Sequence, residues 1–162
     1  MLKAVFAIAL GAGLMVAAPG FAQSTDQDRT VRPGDRIEWS ANPPHFVQFG
    51  GTGGNPPAAL TPLADVDKVL SFVPPLSVDG DIGQGPTGGA PGLVATVKDD
   101  AAGAGVANFV FTCGQHPGQM KSLPFIVAPK DAAQPPRTLK IRAVGLDWML
   151  DTPAGPVKVD SP

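Results

Sequence analysis

Apolar and polar positions alternate along this chain in short runs separated by turns. Arg36-Ile37-Glu38-Trp39 alternates as a strand with one buried face does. It follows the turn Arg32-Pro33-Gly34-Asp35 and is broken by Asn42-Pro43-Pro44. His45 to Phe49 is a second extended run, with His45, Val47 and Phe49 on one side. Leu93 to Lys98 predicts another strand. Val106 to Cys113 is the clearest, carrying Phe109, Phe111 and Cys113 on one face. Leu123 to Val127 follows with Leu123, Phe125 and Val127 on one face, and Pro124 within it predicts an edge or a bulge. Thr61-Pro62 before Leu63, Val66 and Leu70 fits a short helix with Thr61 as N-cap and Pro62 as first helical residue. It fits equally a lead into a strand over Val69 to Val73. Val78 to Gly92 is rich in turns. Beyond a linker over Pro129 to Pro136, Thr138 to Val144 alternates again, and Val157-Lys158-Val159 is a further strand candidate.

Composition supports an all-β domain. Gly and Pro together make 39 of 162 residues, and Val is abundant. The formal net charge of −2 offers no basic face, so nucleic acid is not an expected partner. No apolar run is long enough to span a membrane. Lys3, the apolar stretch Val5 to Ala18 and the small residues of Gly20-Phe21-Ala22 predict a cleaved secretory signal over residues 1–22. Export to a bacterial periplasm follows. Residues 23–129 then form the domain and 130–162 a C-terminal extension.

The chain has one Cys and two His. One Cys permits neither an internal disulfide nor a metal site with two thiolates. A free thiol in an oxidising compartment calls for a role. Cys113, His116 and Met120 fall within one string, Phe111-Thr112-Cys113-Gly114-Gln115-His116-Pro117-Gly118-Gln119-Met120. Thiolate, thioether and imidazole together select copper, and a trigonal two-His, one-Cys plane with a weak axial Met is a blue-copper site. His45 is then the second imidazole. Cys113 ends a strand, and the loop after it returns His116 and Met120 toward the same point.

These residues resemble the cupredoxins, the small blue copper proteins such as plastocyanin, pseudoazurin and amicyanin. The first segment is Arg32 to Trp39 followed by Pro44-His45. The second is Phe109 to Met120 followed by Lys121-Ser122-Leu123-Pro124-Phe125-Ile126-Val127. The resemblance implies a Greek-key β-sandwich holding one type 1 copper, with His45, Cys113 and His116 equatorial and Met120 axial. It also implies that His116 is the edge through which electrons pass. The chain departs from the family in four ways. Three residues separate His116 from Met120, where plastocyanin-like loops usually have four and amicyanin two. Phe46 stands where an Asn commonly ties the two ligand loops together. The N-terminal strand is nearly missing. The extension adds an edge strand, with Leu139 to Val144 filling the edge that the missing strand leaves.

The expected function is one-electron transfer between a redox protein donor and acceptor by a monomeric carrier, not an enzyme. Phe46, Pro43 and Pro44 would supply an apolar docking surface. Three rivals stay open: a periplasmic copper carrier or store using the same ligands, zinc in place of copper, and a metal-free assembly domain. Met149 is expected in the core, not at the metal. Gly50-Gly51-Thr52-Gly53-Gly54 lacks the Lys of a phosphate-binding loop.

Overall fold

A computed structural model describes residues 22–41, 45–50, 60–73, 81–82, 92–116 and 118–159. The signal expected over residues 1–22 lies outside these, except for Ala22, and so do Pro43, Pro44 and Pro117. The strands are β1 (Thr30–Val31), β2 (Arg36–Ala41), β3 (Val47–Gln48), β4 (Leu70–Val73), β5 (Asp81–Ile82), β6 (Leu93–Val97), β7 (Asn108–Cys113), β8 (Leu123–Val127), β9 (Thr138–Val144), β10 (Asp147–Thr152) and β11 (Gly155–Lys158). A five-stranded sheet in the order β1-β8-β7-β3-β5 packs on a six-stranded sheet in the order β11-β10-β9-β2-β6-β4. The expected all-β sandwich is formed.

Each sheet turns its apolar face inward because side chains alternate along a strand. On the six-stranded sheet β2 buries Ile37, Trp39 and Ala41, and β9 buries Leu139, Ile141 and Ala143. On the other sheet β7 buries Phe109, Phe111 and Cys113, and β8 buries Leu123 and Phe125. The layers meet in a cluster of rings. Phe111 lies edge-on to Trp39 at 5.6 Å and to Trp148 at 5.2 Å, and stacks on Phe125 at 5.9 Å. Such pairs contribute about 0.5–1.5 kcal/mol each beyond the area they bury.

Both alternatives for the Thr61 region occur in succession. Helix α1 (Leu63–Val69) runs directly into β4. Thr61 is not its cap: Pro62 holds that position with no side-chain cap bond. The Thr61 hydroxyl instead accepts the Val110 amide of β7 at 2.8 Å. Pro124 is tolerated because β1 pairs only with Ile126 and Val127, which leaves no paired strand residue on that side at Pro124 among the described residues.

Residues 130–162 add three strands. β9 takes its place beside β2 in a six-residue parallel register, Arg36↔Thr138 through Ala41↔Ala143, and β10 and β11 carry the sheet further. The Leu139 to Val144 segment thus fills the place beside β2 but is an inner strand, and the edge passes to β11. Asp35 locks this arrangement. Its carboxylate accepts the Arg137 and Arg32 amides at 2.9 and 3.0 Å. The Arg137 guanidinium donates to the carbonyls of Gln27, Asp28 and Thr30. Trp148, Leu150, Val157 and Val159 join the same core as Ile37 and Phe111. Met149 is buried, but its strand neighbours are Arg142 and Lys158, so it faces away from that core and from the site.

Candidate metal centre

Strand register brings the site together. Val47 of β3 stands directly opposite Cys113 of β7, so the two side chains share a face. His45 precedes Val47 by two positions and takes the same side. His45, Val47 and Phe49 are all buried, as their alternation predicts. The outcome is that His45 Nδ1 lies 3.4 Å from Cys113 Sγ.

The third group comes from the loop after β7. His116 Nδ1 lies 3.5 Å from the same sulfur. One ligand atom from each of His45, Cys113 and His116 falls within 4.8 Å of the others. Among the described residues they are the one such cluster of three or more His, Cys, Asp or Glu side chains. His45 and Cys113 are buried, whereas His116 is partly exposed.

Main-chain bonds fix the loop at both ends. The His116 amide donates to the Cys113 carbonyl at 3.3 Å. The amides of Gln119 and Met120 donate to the His116 carbonyl at 3.1 and 3.2 Å. Gly118 makes the reversal with φ +77°, a left-handed conformation that a side chain disfavours. The Thr112 hydroxyl donates to the Met120 carbonyl at 3.2 Å. The Gly114 amide donates to the Phe46 carbonyl at 3.0 Å and ties this loop to the one that carries His45. Met120 closes the loop with its side chain 2% exposed and packed into the core.

A metal fits the three side chains. Bonds of about 2.3 Å to sulfur and about 2.0 Å to nitrogen, at angles of about 100–110°, set sulfur and nitrogen some 3.3–3.5 Å apart. The two observed separations fall within that span. A thiolate and two imidazoles without a carboxylate select a soft or borderline ion over calcium or magnesium. Burial, and then the charge of His116 beside it, hold the His45 pKa below the ordinary imidazole value. At neutral pH that favours the neutral imidazole, the form a metal requires.

The structure brings together three of the four residues expected at the metal and buries the fourth, Met120, at the end of the same loop. Of the expected docking residues, Phe46 is half-buried, and Pro43 and Pro44 lie outside the described residues. Sequence reasoning missed Trp148. Its indole reaches the wall of a cavity shared with His45, Trp39 and Ser40. The signal was present in the alternation of Thr138 to Val144, but which strand that segment pairs with is not written in the alternation.

No family model, no curated protein and no solved structure matches the chain.

Proposed function

We propose that the chain is an exported type 1 copper protein of the cupredoxin kind, which passes single electrons between redox protein partners in the periplasm and catalyses no reaction of its own. The observation that supports this best is the convergence of His45 and His116 on Cys113 Sγ at 3.4 and 3.5 Å. The only Cys and the only two His of the chain are spent on one point. Copper bound there supplies a one-electron couple.

The chain's own residues account for the rest. Cys113 ends β7, so its sulfur is joined covalently to a strand that two neighbours hold. A site anchored on strand ends changes shape little between oxidation states. His45 is buried and keeps water from one side of the site. His116 is the one member of the three that reaches the surface, so it is the edge that a partner can touch. Zinc is disfavoured because a closed structural zinc site needs a fourth strong ligand, and the cluster offers three.

The test is to add Cu(II) to the purified full-length chain. One equivalent should give an intense visible thiolate-to-copper band and a spin-resonance spectrum with narrow parallel hyperfine splitting. Cys113→Ser should lose the band. An unchanged band in Cys113→Ser would overturn the assignment. Copper that passes to a chelator within one redox cycle would favour a carrier or store over an electron-transfer protein.

A further inference from the structure

Behind His45 lies a small cavity with an unusual lining. Trp39, Ser40 and Ala41 of β2 form one wall, Trp148 of β10 another, and His45 a third. Trp39 is 1% exposed and Trp148 2%. Both indole Nε1 atoms are buried, and neither has an acceptor among the described residues. An unpaired buried donor is costly, and both donors belong to residues that line this one cavity.

Small side chains open the space. Trp148 pairs with Ala143, and Ala143 pairs with Ala41, so one row across three strands reads Trp–Ala–Ala. Both indoles also rest edge-on against Phe111, which holds them at one level of the sandwich. The room for the centre of a water molecule is about 10 Å³. That is enough for about one water. Among the described residues no Lys, Arg, Asp or Glu lines the cavity, so a charged occupant would have no counter-charge from them.

We propose that one ordered water occupies this cavity, accepts from the indole N–H groups of Trp39 and Trp148, and makes Trp148 a positioning residue for His45. A water has two lone pairs for the two indoles. The C-terminal hairpin thereby supports the metal centre from behind without touching the metal. The inference concerns the metal-free chain, so it stands or falls independently of the copper assignment.

The chain has two Trp and two His, so each gives a separable signal. In ¹⁵N-labelled metal-free protein, both indole protons should show cross-relaxation with water of the sign that marks a long-lived bound molecule. Trp148→Phe keeps a ring in place but removes one donor. It should weaken the Trp39 water signal several-fold and shift the ring resonances of His45 more than those of His116. Two indole protons with no water contact in the parent would overturn the proposal. So would a Trp39 signal and His45 resonances unchanged in Trp148→Phe. Should that variant fail to fold, the parent spectrum alone decides whether water bridges the two indoles.

Discussion

The amide of Gly114 donates to the carbonyl of Phe46 at 3.0 Å and joins the His45 loop to the loop that carries Cys113 and His116. Where the family resemblance leads one to expect an Asn side chain for this task, the backbone performs it. Phe46 thus departs from the pattern at a position where a main-chain bond joins the two loops.

The bond predicts an asymmetry between variants. Phe46→Ala keeps the carbonyl and should bind copper as the parent does. Gly114→Ala keeps the amide, and its Cβ would meet the flexible end of Gln48 at 3.1 Å, which can give way. Gly114→Pro removes the donor and leaves the Phe46 carbonyl unpaired. Its cost should be about 1–3 kcal/mol, with a matching loss of metal affinity. A titration of the three variants with a competing chelator decides the matter. Equal affinity for Gly114→Pro and Gly114→Ala would show that this bond does not hold the loops together.

His45 makes the metal-free fold acid-sensitive. Burial first, and repulsion from His116 second, lower its pKa from 6.5. Between the folded and unfolded values the unfolded chain binds more protons, so stability rises with pH across that window. Well above 6.5 the residue is neutral in both states, and its contribution is complete. As the pH falls through 6.5 toward the lower folded value, that contribution is lost. The melting temperature of the metal-free chain should be level above neutrality and decline below it. His45→Gln should flatten that decline. Parallel acid slopes in parent and variant would assign the effect to other groups. Copper should suppress the decline, since it competes with protons for the same nitrogen.

Residues 130–159 are as much a part of the sandwich as the strands before them. Leu139, Ile141, Trp148, Leu150, Val157 and Val159 are all buried. Each such side chain is worth about 1.5–3 kcal/mol, and six of them match the entire net stability of a domain, about 5–15 kcal/mol. A chain ending at Ala128 should not fold cooperatively, because β2 would lose its β9 neighbour and Trp39 part of its cover. Circular dichroism with a denaturant titration tests this. A cooperative transition in the truncated chain, with near-native secondary structure, would contradict it.

That segment also marks where the sequence stops being informative. Alternation is a local property, and it correctly exposed β2, β7, β8 and β9 and the buried faces of Trp39, Phe111 and Ile141. The cluster of His45, Cys113 and His116 was legible for a different reason: the chain contains so few His and Cys that chemistry left little choice. Pairing is not local. Nothing in Thr138 to Val144 says that it lies parallel to β2, or that Trp148 then arrives behind His45. The two-residue β5 is too short to carry a period at all. Thr61 illustrates a third limit. Its hydroxyl suits a helix cap or a strand partner equally, and only the approach of Val110 decides between them.

The remaining prediction concerns Met120. Its backbone is held by Thr112 and His116, and its side chain is 2% exposed at the end of the ligand loop. A thioether is a weak axial ligand, so if Met120 serves as one, its loss should leave copper bound and alter its electronics. Met120→Leu keeps volume and apolar character, and such swaps usually cost less than about 1.5 kcal/mol. It withdraws electron donation that favours Cu(II), so the reduction potential should rise. Met120→Gln offers an oxygen donor, which favours the higher charge, and should lower the potential. Voltammetry on the three proteins measures the order directly. The three residues between His116 and Met120 set the reach of the loop and bear on the outcome. If both variants match the parent in potential and visible spectrum, Met120 is a core residue that closes the loop, and the plane of His45, Cys113 and His116 stands without it.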